Sequence, residues 1–115
     1  MPFGEGFPHP RYYGIYPRIL RQYVFDKRVI DLPFAIRAMT SLPASIIGLK
    51  DRGVLREGAW ADVTVFDPMT LRPNSTYMRP HVYPSGFRYV LVNGELVVDE
   101  GALTNRLPGR VLKRE

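Results

Sequence analysis

Residues 87–101 read FRYVLVNGELVVDEG, and this stretch decides the class of the second half of the chain. Asn93-Gly94 separates two apolar runs, residues 89–92 and 95–98. That dipeptide in that setting is the strongest short-range signal for a type I′ hairpin, because both central residues must take positive φ. Val90, Leu91 and Val92 place apolar groups on both faces of one strand, and Leu96, Val97 and Val98 do so on the other. A pair of that kind needs cover on both faces. Upstream, residues 53–58 (GVLREG) and 61–68 (ADVTVFDP) read as further strands, punctuated by Glu57-Gly58 and Asp67-Pro68. In the second of them Val63 and Val65 point one way and Thr64 and Phe66 the other. A few short strands make a marginal sheet without a second layer, so the pattern describes part of something larger.

Before Gly48 the period changes from two to helical. Residues 1–14 read as loop, broken by Pro2, Gly4, Gly6, Pro8, Pro10 and Gly14, yet they carry Phe3, Phe7, Tyr12 and Tyr13. A segment so rich in aromatics packs over a core or a ligand. A first helix is expected over residues 17–25, with Pro17 at its first position and Ile19, Leu20, Tyr23 and Val24 as an apolar stripe. A second begins after Asp31 as N-cap, with Pro33 in its first turn and Leu32, Ala35, Ile36, Met39 and Leu42 on one face. Pro43 interrupts it, Thr40 or Ser41 caps the continuation, and a short helix through Ile46 and Ile47 ends at Gly48. The expected division is residues 1–48 for loop and helices and 49–115 for the β-rich part.

The 115 residues suit one domain. Sixteen basic and eleven acidic side chains leave a net charge of +5, but the basic residues are spread along the chain. Their one terminal cluster, Arg106, Arg110, Lys113 and Arg114, has no interleaved aromatic residue, so no nucleic-acid role is expected. No apolar stretch approaches a membrane span and no leader-like start is present, so no membrane role is expected either. With no cysteine there is no disulfide framework, thiolate metal site or thiol nucleophile, which fits the cytoplasm expected for this chain.

The search for chemistry finds no complete constellation. His9 and His81 lie far apart, and there is no HxH, HExxH or paired-carboxylate pattern. The serines lack a GxSxG elbow, and Gly4, Gly6 and Gly14 do not stand between a strand and a helix.

Residues 53–67, G-x-L-R-E-G-x-x-A-D-V-T-V-F-D, resemble the closing segment of the amidohydrolase superfamily, where it enters a small β-sandwich beside a metal-bearing barrel. Val92, Asn93 and Gly94 match the hairpin that follows it, and Met39, Thr40, Pro43 and Ala44 match an M-T-x-x-P-A pattern on the preceding helix. The ending PGRVLKR and the stretch HPRYYGIYPRILRQYV resemble one branch, the N-acyl-D-amino-acid deacylases or D-aminoacylases, with Ile15 and Tyr16 in place of Thr and Phe. The resemblance covers residues 9–115.

The resemblance implies an α+β fragment: terminal helices of a (β/α)8 metal-dependent hydrolase barrel, followed by part of a small β-sandwich. It implies hydrolysis of the amide of an N-acyl-D-amino acid by zinc-activated water in the intact enzyme. The family's HxH pair, later histidines and final aspartate have no counterparts in this chain, and Glu5 does not replace the aspartate. No catalytic residue, metal ligand or zinc is therefore expected in these residues alone, and the isolated chain is expected to be inactive. Arg11 matches the arginine that holds the substrate carboxylate, with His9 beside it as the second substrate-binding residue. A guanidinium presents a planar fork of donors that fits a carboxylate. The expected partners are the substrate and either the rest of the enzyme or further copies of the chain. The alternative is a non-catalytic, β-rich interaction module.

Overall fold

In the computed structural model, which describes residues 2–114, helices precede a single antiparallel sheet. α1 spans Arg11–Arg18 and runs into a π-helix, Ile19–Asp26; α2 spans Leu32–Met39 and α3 Ser41–Ile47. The strands β1 (Val63–Phe66), β2 (Phe87–Val92), β3 (Glu95–Asp99) and β4 (Ala102–Leu103) lie side by side in sequence order. No helix among the described residues is long and apolar enough to cross a membrane.

The first helix starts six residues earlier than its composition suggests. Pro17 does not open it but lies inside α1, and Gly14 is buried within it. Gly14 serves packing: a Cβ there would come within 3.6 Å of Pro73 and 3.7 Å of Ser75, so α1 lies directly on the 73–75 segment. Pro17 has no N–H to give the preceding turn, and its ring crowds the carbonyl four residues back. The backbone beyond it widens into the π-helix, whose end is marked by the Lys27 N–H bonding to the Gln22 carbonyl. Leu20 and Val24 are buried as the stripe predicts, while Tyr23 stays partly exposed.

Asp31 caps α2 as expected, accepting the Phe34 N–H at 2.8 Å. The break between α2 and α3 falls at Thr40 rather than Pro43, which sits in the first turn of α3. Thr40 does not cap α3 with its side chain. Its hydroxyl bonds back to the Ile36 carbonyl at 2.7 Å. Gly48 closes α3 in the left-handed conformation, as expected.

Residues 53–58 form no strand. Local turns take up the backbone there: the Ala59 N–H reaches the Arg56 carbonyl and the Trp60 N–H the Asp51 carbonyl. The hairpin is as read, with Asn93 at φ 52° and Gly94 at φ 82°. A second two-residue turn, Glu100-Gly101, also has both φ angles positive and adds β4. The register of β1 against β2 shifts between Val65 and Phe66, leaving Arg88 as an extra residue opposite. Val65 is exposed, and Phe66 packs against the core.

The core joins the helices to the β1–β2 connection: Leu20, Val24, Ala35 and Leu71 are buried together, with Phe66 and Phe87 packed on them. Leu71 is fully enclosed because Gly86, at φ 91°, lets the two backbones touch; a Cβ on Gly86 would lie 2.4 Å from the Leu71 Cα. No residue of β2 or β3 is buried. Large apolar side chains such as Phe34, Ile46, Ile47 and Leu107 remain exposed. The radius of gyration is 14.9 Å, against about 13 Å for a compact chain of this length.

Candidate substrate-binding site

Arg11 is the first residue of α1, and the histidine two residues before it sets that start. The His9 Nδ1 accepts the Arg11 backbone N–H at 3.0 Å, satisfying a helix-start donor that has no partner inside the helix. With Nδ1 acting as acceptor, the ring proton of the neutral imidazole sits on Nε2, which donates to the Tyr77 Oη at 2.9 Å. The Tyr77 ring stands edge-on to the imidazole, with centroids 5.0 Å apart. Both nitrogens of His9 are thus engaged within the protein. What His9 fixes is the backbone start of Arg11.

Tyr77 is presented by a tight turn. The Thr76 N–H bonds to the Arg79 carbonyl, the Arg79 N–H returns to the Thr76 hydroxyl, and the Ser75 hydroxyl reaches the Pro80 carbonyl. Because α1 rests on residues 73–75 through Gly14, the same loop fixes both the helix and the group that orients His9.

Behind this turn His81 ties the N-terminal segment down. Its Nε2 donates to the Gly6 carbonyl at 3.0 Å; its Nδ1 receives the Gly4 N–H and the Tyr13 hydroxyl, each at 3.1 Å. Phe3 stacks on Tyr83 with centroids 4.6 Å apart and meets Tyr13 and His81 edge-on. Partial burial, followed by the neighbouring phenols of Tyr83 and Tyr12, pushes the Tyr13 hydroxyl above its usual range and keeps it a donor. The aromatic segment read as loop therefore packs over its own chain, and its last residues, 11–14, begin α1.

The Arg11 side chain is exposed and, among the described residues, forms no hydrogen bond or ion pair. It stands at the positive end of a helix, where an anion is favoured. An anionic group is the chemistry this end of the molecule can take.

Zinc does not fit the residues present. Among the described residues no three of His, Asp or Glu converge as metal ligands, and both histidines spend their nitrogens on protein partners. The sequence offered no signal for the roles of Tyr77 and His81, whose partners lie 68 to 77 residues away.

An amidohydrolase family model matches residues 2–98. The chain is 42% identical over 111 residues to an N-acyl-D-glutamate deacylase of Alcaligenes xylosoxydans xylosoxydans, covering 96% of this chain and 22% of that protein. A D-aminoacylase of the same organism is 42% identical over 107 residues, covering 93% of this chain and 22% of that protein. Among solved structures, D-aminoacylase superposes with a TM-score of 0.90 at 39% identity, over 94% of this chain and 23% of that one. An N-acyl-D-glutamate deacylase from Bordetella bronchiseptica, complexed with zinc and a phosphonate inhibitor, gives 0.77 at 46% identity, over 79% of this chain and 19% of that one. The chain spans about a fifth of the length of the curated relatives it matches. With the family model covering most of its length and nearly all of its residues aligned with a deacylase, the chain belongs to the amidohydrolase family.

Proposed function

We propose that these residues are the C-terminal part of an N-acyl-D-amino-acid deacylase, a cytoplasmic hydrolase of amide bonds. In this reading residues 1–48 close a (β/α)8 barrel and residues 49–115 contribute to a β-sandwich beside it. Arg11 holds the substrate carboxylate and His9 serves the same site. The observation that carries the reading is the Arg11 guanidinium, exposed at the first residue of α1 with no internal partner among the described residues. It occurs in a chain aligned along 96% of its length with an N-acyl-D-glutamate deacylase. Zinc and its ligands belong, in this proposal, to parts of the enzyme other than these residues, and the chain alone neither binds the metal tightly nor hydrolyses substrate.

The test is a graft. These 115 residues replace the corresponding segment of the D-aminoacylase, and the product is assayed on N-acyl-D-amino acids beside the isolated chain. Hydrolysis by the graft and none by the chain supports the proposal. A folded, metal-loaded graft without hydrolysis contradicts it. A second reading, a non-catalytic interaction module, draws on the absence of converging metal ligands among the described residues. A monodisperse monomer with one sharp melt would favour it.

A further inference from the structure

We propose that Tyr77 is a positioning residue for the substrate carboxylate, acting through His9 on Arg11. The inference rests on the reading of Arg11 as the carboxylate holder. Neutral imidazole exchanges between two tautomers, and only the one with its proton on Nε2 leaves Nδ1 free to accept the Arg11 N–H. The Arg11 N–H, which can only donate, sets that tautomer, and Tyr77 holds the ring in the orientation that presents Nδ1 to it, its Oη lying 2.9 Å from Nε2. The Arg11 N–H then bonds to Nδ1 at 3.0 Å, and α1 begins at that residue. Without the phenol, the ring is free to turn away from Arg11 and to take up the other tautomer, which offers no acceptor at Nδ1. The first turn of α1 would then fray, and the guanidinium would lose its fixed origin.

The relay is local and supported from behind. Tyr77 is 66% exposed, so its hydroxyl is not required to fill a core. The turn that presents it is closed by Thr76, Arg79 and Ser75 without help from the phenol. His9 reaches across 68 residues of sequence to find it, joining the start of α1 to the β1–β2 connection. Precise placement matters because a carboxylate is gripped bidentately only when the fork is aimed.

The test begins on the chain itself. Imidazole nitrogen shifts of the labelled 115-residue protein, at a pH where the rings are neutral, should show His9 as the pure Nε2–H tautomer. In Tyr77→Phe the His9 signature should become mixed, and the Arg11 amide should exchange about fivefold faster, the factor carried by one ordinary hydrogen bond. His81, bound to Gly4, Gly6 and Tyr13 instead, should keep its signature and so report an intact fold. Wild-type His9 with its proton on Nδ1, or an Arg11 amide indifferent to Tyr77→Phe, overturns the relay; the first of these needs no variant. In the grafted enzyme Tyr77→Phe should raise KM for the acid about fivefold with kcat retained, and leave a neutral amide analogue unaffected. An unchanged KM overturns the positioning role even where the tautomer behaves. Should Arg11→Ala fail to separate acid from amide while the tautomer result holds, the carboxylate reading falls and the relay survives as structure. The reverse pattern removes this inference alone.

Discussion

The hairpin and the segment around Arg11 are built by opposite means. In the hairpin, order comes from neighbours in sequence: Asn93-Gly94 turns the chain, and apolar residues on both strands pair across it. Around Arg11, order comes from distant polar partners, with His9 on Tyr77 and His81 on Gly4, Gly6 and Tyr13. The hairpin has pairing to spare but only partial cover, since none of its strand residues is fully buried. The Arg11 end has cover from its own loop but little hydrophobic burial beneath it. Pattern makes a strand, whereas a site needs specific donors and acceptors brought from afar.

Gly86 lies where β2 meets the Leu71 core, and breaking that contact should have the largest effect. Gly86→Ala combines a positive φ with a Cβ 2.4 Å from the Leu71 backbone. A loss of about 2–5 kcal/mol in urea unfolding is expected from strain plus overpacking. Asp62 comes next. It accepts the Asn93 N–H at 2.8 Å and Arg52 Nη1 at 2.6 Å, so it clamps the hairpin turn. Asp62→Ala should cost about 1–2 kcal/mol, reduced by partial exposure, and should lower amide protection in β2 and β3. If it also frees residues 3–6, the two regions are not separable. His81→Leu should do the reverse, speeding proteolysis before Phe7 while hairpin protection holds and overall stability falls by about 0.5–1.5 kcal/mol.

The smallest effect is alkaline. The Tyr13 hydroxyl is held above its usual range by partial burial first and by Tyr83 and Tyr12 after it, so folding favours the protonated phenol. Its contribution is complete below the unfolded value and fades as pH rises through the higher folded one. Tyr13→Phe should flatten this alkaline decline as followed by release of the N-terminal segment.

What was legible follows from the same division. The Asn93-Gly94 turn, the Asp31 cap, the Gly48 ending and the buried stripe of Leu20 and Val24 each depend on a few adjacent residues, and each is found. The start of α1 was hidden, because Gly14 and Pro17 oppose a helix locally and are outweighed by packing on Pro73 and Ser75. Residues 53–58 have strand-like composition, but turn bonds claim their backbone. The shift at Phe66 depends on an extra residue in the partner strand, Arg88, and Glu100-Gly101 carried a turn signal that the longer hairpin overshadowed. Arg11 was visible only through its motif; the partners that fix it are far along the chain.

Arg11 itself offers the most direct test of the account. In the grafted enzyme, kcat/KM is measured for an N-acyl-D-amino acid and for the same molecule with its carboxylate replaced by a neutral amide, in wild type and in Arg11→Ala. Loss of a hydrogen bond to a charged group, about 1.5–3 kcal/mol, predicts a roughly 10- to 150-fold fall on the acid, with metal content unchanged. The amide should penalise the wild type far more than the variant. Equal penalties in both would show that Arg11 does not touch the carboxylate, and would contradict the assignment of this site.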